Sequence, residues 1–183
     1  MGRFAVIDTE TNWSDQVMSI GTIIADADTF QAIEAKYHIL PAECSVGGMY
    51  SGTLYIETPI KPIPCARSEA IADLRIWFQL HGVHDIFAYN ACFDRNHLPE
   101  LRQFHWHDIM RLAAYRQYNH KIPLHADCYS TGRLKRSYGV EEMLRLLSGN
   151  AHYRESHNAF FDCMDELEIM RLLGYPPSKY ESI

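Results

Sequence analysis

The sequence has no CxxC pair. Its five cysteines (Cys44, Cys65, Cys92, Cys128 and Cys163) are scattered and odd in number, which argues against both a disulfide framework and a structural zinc site. A reducing, cytoplasmic setting is the simple expectation. No stretch approaches the roughly 20 apolar residues of a membrane span. The N-terminus, MGRFAVIDTETN, has no apolar run followed by a small-residue cleavage site, so no signal peptide is expected. Positive charge is scarce too. The chain has 17 Lys and Arg against 23 Asp and Glu, a net charge of −6, which argues against tight, non-specific duplex binding through phosphate neutralisation. Nucleic acid remains possible as a substrate, because a site that binds phosphate through metal ions must itself be rich in carboxylates.

What is there fits one compact domain over residues 1–183 with a sizeable core. Apolar residues make up 47% and charged residues 22%, ordinary for a globular chain and unlike a disordered one. His105 and His107 sit two apart. With no Cys or carboxylate at ligand spacing beside them, they read as surface or core histidines ahead of a zinc pair.

Residues 3–8 (RFAVID) read as an apolar strand buried on both faces. Residues 17–25 and 31–39 read as two more, close enough together for an antiparallel meander. Residues 41–65 carry Gly47, Gly48, Gly52, Pro59, Pro62 and Pro64. They read as a long loop, or an excursion with a small hairpin, that flanks a binding groove. Helical spacing over 66–81 puts Ala70, Leu74, Trp77 and Phe78 on one face, with Ser68 as the cap. A strand over 85–90 precedes a helix over 91–104 that Pro99 must start, kink or break. There follow a short strand near Trp106, a helix over 108–119, a polar stretch over 120–137 and a helix over 138–147. A last helix covers about 157–173, and 174–183 reads as a tail. Strands first, then strands alternating with helices, predict an α/β fold with a mixed sheet flanked by helices.

Three places carry chemistry. In FAVIDTETN a strand ends in Asp8 and Glu10. Residues two apart on a strand face the same way, so the two carboxylates converge, which is costly unless a cation joins them. Solvated acids at a turn are the plain alternative. In IFAYNACFDRNHL a strand breaks at Asn90, and Asp94 follows near a helix start, where the helix dipole alone would also favour an acid. In SHNAFFDCMDELEIM, five residues separate His157 from Asp162, about 140° on a continuous helix. These two converge only if His157 sits in the lead-in loop and Asp162 lies a turn inside the helix, with Asn158 or Ser156 as the cap. Asp162 shares its face with Glu166 and Ile169, at the margin of an apolar arc of Phe160, Cys163, Met164, Leu167 and Met170. Asp165 and Glu168 point to the other side and read as surface charges. A half-buried acid on a core-facing helix wants a partner, and a metal would serve.

Taken in order, Asp-x-Glu, Asn-x-x-x-Asp and His-x-x-x-x-Asp resemble the DEDDh (DnaQ-like) family of 3′–5′ exonucleases, which includes the polymerase III proofreading subunit, RNase T and oligoribonuclease. The resemblance spans residues 4 to about 173. It implies a ribonuclease H-like fold whose five-stranded mixed sheet is flanked by helices. It implies Asp8, Glu10, Asp94 and Asp162 as ligands of two divalent cations, with Asp8 bridging, and His157 as the general base. Mg²⁺ or Mn²⁺ suits an all-oxygen site, whereas zinc would recruit His or Cys. Such a pair stabilises the attacking and leaving oxygens of a phosphodiester, while His157 takes the proton of the attacking water. A nucleoside 5′-monophosphate would leave from a single-stranded 3′ end. Thr9, Thr11, Trp13, Asn90 and Phe93 are the expected substrate-binding residues.

The chain departs from the family pattern in places. Members often read Asp-x-Glu-Thr-Thr-Gly-Leu; here Asn12, Trp13 and Ser14 follow Thr11. Trp13 is either the base-stacking surface, worth about 1–3 kcal/mol per base, or a core or lid tryptophan. Tyr89 stands where a histidine is common. Phe93 reads as core ahead of pocket. Arg133, Lys135 and Arg136 read as solvated charge ahead of a strand-backbone contact. DNA is placed ahead of RNA, with oligoribonuclease-like or RNase T-like action as the alternative. A non-catalytic ribonuclease H-like nucleic-acid- or protein-binding module ranks below both, because all five positions are filled. Expected partners are single-stranded DNA or RNA 3′ ends and a polymerase or other replication or repair protein, with no membrane contact.

Overall fold

The computed structural model describes residues 2–183. Its sheet grows from the apolar run after Arg3. Phe4, Ala5, Val6 and Ile7 are all buried, so β1 (Arg3–Thr11) is covered on both faces, as an interior strand of a sandwiched sheet must be. β1 pairs antiparallel with β2 (Val17–Asp26), and β2 antiparallel with β3 (Ala32–Ile39). This is the expected meander. The sheet has six strands rather than the expected five. The chain returns beside β3 as β4 (Ile63–Pro64), a two-residue parallel edge strand, and a proline is tolerated at an edge. On the far side β1 pairs in parallel with β5 (Asp85–Ala88), and β5 in parallel with β6 (His105–Asp108). The order is β4-β3-β2-β1-β5-β6.

The excursion holds a single turn of helix, α1 (Pro41–Cys44), followed by turns and no hairpin. α2 (Arg67–His81) buries Ala70, Leu74, Trp77 and Phe78 as expected. Ser68 is not its cap. Instead the Glu69 carboxylate accepts from the Ala66 N–H at 2.9 Å, reaching back as an N3 acid does. α3 (Cys92–His97) stops before Pro99, which opens a separate 3₁₀ turn. The helix expected over 108–119 is only α4 (Met110–Ala113). The backbone after it is recruited sideways: Leu134 N–H donates to the Ala114 carbonyl at 2.9 Å and Arg116 N–H to the Gly132 carbonyl at 3.0 Å. α5 (Val140–Ser148) and α6 (Ala159–Leu173) follow. Met164, placed in the apolar arc by periodicity, is 39% exposed.

Residues 174–183 are docked rather than free. Tyr180 is buried, His107 Nδ1 donates to its carbonyl at 2.8 Å, and Ile183 N–H donates to the Trp106 carbonyl at 2.9 Å. The alternation of β1 sends Phe4 and Val6 to a core shared with α5 and α6, and Ala5 and Ile7 to a core shared with α2. The same alternation carries Asp8 and Glu10 to the α6 side and Thr9 to the other. No helix among the described residues is long and apolar enough to cross a membrane.

Candidate active site

α6 reaches the sheet where β2 has no side chain to hold it off. Gly21 pairs with Asp8 across the two central strands, and a Cβ at Gly21 would fall 1.9 Å from the Ala159 carbonyl oxygen. The first turn of α6 therefore lies directly over the end of β1. The helix begins between the two predicted residues, as their spacing demanded. Asn158 is the N-cap and accepts from Phe160 N–H at 3.2 Å. His157 is left in the lead-in loop with a left-handed backbone, φ 52°.

Glu10, His157 and Asp162 come together here, with one ligand atom from each lying within 4.8 Å of the others. Asp8 and Asp94 join them through the electric field. Burial holds the Asp8 carboxyl well above the usual carboxylate range, and the charges of Glu166, Asp94, Asp162 and Glu10 add to it. Burial pushes Glu10 up to about 7, helped by Glu155 and Asp94 and opposed by a hydrogen bond with Asp162. Asp162 rises to about 9, through burial and then Glu155, Glu10 and Asp165. Asp94, 2% exposed, rises to about 7 through burial, opposed by the Thr9 hydroxyl, which donates to its Oδ1 at 2.7 Å. Thr9 thus meets Asp94 from the opposite face of β1 and holds it.

Asp8 Oδ2, Asp162 Oδ1 and Glu166 Oε2 are buried oxygens with no hydrogen-bond partner. Buried carboxylates that crowd one another cannot all ionise unless a cation joins them. An oxygen-rich donor set of this kind fits a hard divalent ion.

Glu166 shares the face of Asp162 by sequence, which gives it no role in the site. It is 1% exposed, and burial holds its carboxyl well above the usual range, with Asp94 the largest contributing charge. The available signal was its place four residues after Asp162, one turn along the same face. Asp165, expected at the surface, is half-buried. Tyr153 donates a hydrogen bond to it, and burial pushes it up to about 6.

Beside these acids lies a cavity of about 350 Å³ lined by Glu10, Thr11, Trp13, Met49, Tyr50 and Phe93, among others. Trp13 is 68% exposed and Phe93 38%, so both face the cleft and neither is core, correcting the core reading of Phe93. Asn90 does not line the cleft. Its left-handed backbone, φ 62°, turns the chain from β5 into α3, and its N–H is held by Asp108 Oδ1 at 3.0 Å. Outside the cleft, His97 Nε2 donates to Asp15 at 3.0 Å.

Two other sequence features lie outside the site. Asp85 comes from β5 to face both histidines of β6, 2.9 Å from His107 Nε2 and 3.5 Å from His105 Nδ1. The three form no group of metal-holding geometry among the described residues. Arg133 stacks on the Tyr129 and Tyr138 rings at 5.0 and 5.3 Å, and Lys135 pairs with Asp127 at 3.0 Å.

No protein-family model matches the chain, and no curated protein does. Solved structures do. The nuclease domain of 3′hExo, a DEDDh family member bound to rAMP, superposes with a TM-score of 0.67 at 11% identity, over 99% of this chain and 96% of that one. E. coli exonuclease I in complex with a dA16 oligonucleotide gives 0.61 at 14% identity over 98% of this chain. A 3′-exonuclease recognising the histone mRNA stem-loop gives 0.65 at 11% identity, over 99% of this chain and 70% of that one. The chain spans 42% of the length of exonuclease I. The fold is therefore the ribonuclease H-like fold of the DEDDh exonucleases, with one more edge strand than expected.

Proposed function

We propose that this chain, which has the DEDDh exonuclease fold, is a 3′–5′ exonuclease that uses Asp8, Glu10, Asp94 and Asp162 as metal ligands and His157 as general base. One observation carries the reading: Glu10, His157 and Asp162 offer ligand atoms within 4.8 Å of one another at the end of β1, beside the orphaned oxygens of Asp8 and Asp162. Two divalent cations, Mg²⁺ or Mn²⁺, would supply charge to the scissile phosphate and lower the pKa of the attacking water.

The protein's own groups do the rest. Crowded carboxylates release their protons when the ions bind. His157 accepts the proton of the water that attacks the terminal phosphorus. The bond from phosphorus to the 3′ oxygen breaks, that oxygen takes a proton from solvent to become the strand's new 3′-hydroxyl, and a nucleoside 5′-monophosphate leaves. The exposed face of Trp13 and the Phe93 ring receive the terminal base by stacking, which needs no sequence preference. Thr11 lies in the same wall, and Thr9 holds Asp94. Single-stranded DNA is placed ahead of RNA. The net charge of −6 favours weak binding of single-stranded ends over long duplex contacts.

The test uses single-stranded DNA and RNA oligonucleotides labelled at the 5′ or the 3′ end, with Mg²⁺, with Mn²⁺ and with a chelator. The 5′-labelled strand is expected to shorten one nucleotide at a time with metal and to stay intact with chelator. Internal cuts, or no cleavage of either polymer with either metal, would overturn the reading. Faster loss of the RNA would reverse the order of substrates.

A further inference from the structure

The excursion between β3 and α2 has one contact whose geometry is unlike packing. Tyr50 lies face to face with the His157 ring, centroids 4.0 Å apart and planes 18° apart. His157 needs such a support. It stands in a loop, one residue before the cap of α6, and its left-handed backbone is a conformation that non-glycine residues hold only when their surroundings over-determine it.

The surroundings come from the same excursion. Thr53 Oγ1 donates to the His157 carbonyl. Asn158 Nδ2 donates to the Thr53 carbonyl at 2.8 Å and to Tyr37 Oη at 3.0 Å, and Tyr37 Oη in turn donates to the Leu54 carbonyl at 2.9 Å. The excursion is itself seated by Gly48, where a Cβ would fall 2.7 Å from the Thr11 carbonyl at the end of β1. One segment therefore touches the strand that carries Glu10, the backbone that carries His157 and the face of the His157 ring.

We propose that Tyr50 is a positioning residue: its ring fixes the plane of the His157 imidazole and so aims the base at the water beside Glu10 and Asp162. The inference rests on the exonuclease reading for its catalytic consequence and on the stack alone for its geometry. A general base acts only within hydrogen-bond reach of the proton it takes, and an imidazole on a loop has no helix or strand to fix its rotation. Stacking supplies that constraint through the ring face, so it needs the aromatic ring of Tyr50 and not its hydroxyl.

The experiment compares Tyr50→Leu, Tyr50→Phe and Thr53→Val. In metal-free protein, the His157 ring protons are followed by NMR and assigned by their loss in His157→Gln. They should sit upfield in wild type and Tyr50→Phe and move downfield in Tyr50→Leu. With Mg²⁺ and a single-stranded oligonucleotide, Tyr50→Leu should lower kcat about tenfold with KM within about threefold, part of the 10²–10⁴ a general base contributes. Tyr50→Phe should stay within about twofold of wild type. Thr53→Val, which removes one hydroxyl from both the His157 and the Tyr50 carbonyls while keeping both rings, should cost less than Tyr50→Leu. The proposal is overturned if Tyr50→Leu moves neither the ring protons nor kcat, if Tyr50→Phe fails as badly as Tyr50→Leu, or if Thr53→Val lowers kcat more than Tyr50→Leu with the His157 ring protons still upfield. If wild type cleaves no nucleic acid, the exonuclease reading fails while the NMR arm still decides the stack.

Discussion

Gly21 and Ala159 are in backbone contact that no side chain at position 21 would permit. A methyl group there would lie 1.9 Å from the Ala159 carbonyl oxygen and 2.7 Å from the Phe160 nitrogen. Because Gly21 is also the cross-strand partner of Asp8, this one absent side chain sets the distance between the acids of β1 and the acid of α6.

Gly21→Ala should therefore injure both stability and the site. Overpacking costs about 1–3 kcal/mol and sometimes more, and the atoms in the way here are backbone, which yields least. A clear drop in the urea midpoint with a matching loss of nuclease activity is expected. An unchanged midpoint with full turnover would show that α6 does not need the close approach.

Asp162→Asn should stabilise the metal-free protein at pH 8, by about 1 kcal/mol or more, and Glu166→Gln should act in the same direction, because each removes a buried carboxyl whose ionisation the folded site opposes. Their functional effects should differ. Asp162→Asn is expected to abolish turnover. Glu166→Gln should weaken Mn²⁺ binding about tenfold, the lower end of what a supporting group around a metal site contributes. Calorimetric titration with Mn²⁺ reads this directly, and unchanged affinity would make Glu166 a bystander.

The metal-free protein should lose stability as pH rises. Glu10 and Asp94 are held at about 7 and Asp162 at about 9, against roughly 4 in an unfolded chain. Folded pKa values above unfolded ones mean that the native state binds more protons between these limits. The stabilisation is complete below pH of about 4 and is lost as pH climbs through 7 towards 9. Divalent ions should reverse the loss by taking the protons' place, so Mn²⁺ should raise Tm more at pH 8.5 than at pH 5.5. A metal-free Tm that climbs over the same range would contradict the crowded-acid account.

Trp13→Ala should leave stability unchanged, because the side chain is 68% exposed. It should raise KM with little change in kcat. Loss of one stacking contact, about 1–3 kcal/mol, corresponds to a factor of roughly 5 to 150 in affinity. Quenching of tryptophan fluorescence by an added oligonucleotide should vanish with it. A large fall in Tm instead would mean that Trp13 closes the cleft as a structural lid.

Tyr180→Ala tests the docked C-terminal segment away from the site. Removing a buried aromatic costs about 3–5 kcal/mol, and here it also loosens the carbonyl held by His107. Denaturation should detect the loss while kcat at low temperature stays near wild type. A stability change below about 1 kcal/mol would show that the segment only rests on the sheet.

The order of elements was legible because periodicity and caps act within a few residues. Residues 3–8 are too apolar for an edge. Asn158 caps α6 through its own side chain, so His157 falls in the loop and Asp162 a turn inside. The misread elements were those decided by distant partners. The helix after β6 stops short because residues 132–134 claim its backbone, and the C-terminal residues are held because His107 and Trp106 meet them. Met164 had the spacing of a core residue and no neighbour to cover it.

The sequence by itself determined which acids face one way. Strand alternation joins Asp8 to Glu10, and helix geometry relates Asp162 to Glu166. It did not determine how near those pairs come to each other. That depends on Gly21 admitting α6, on Thr9 holding Asp94, and on an excursion whose Thr53 meets His157 across 104 residues. Local geometry fixes a side chain's direction relative to its own backbone. The few ångströms that turn converging directions into one charged site are set only when separate segments pack, where burial raises the acids' pKa values and gives Tyr50 a ring to hold.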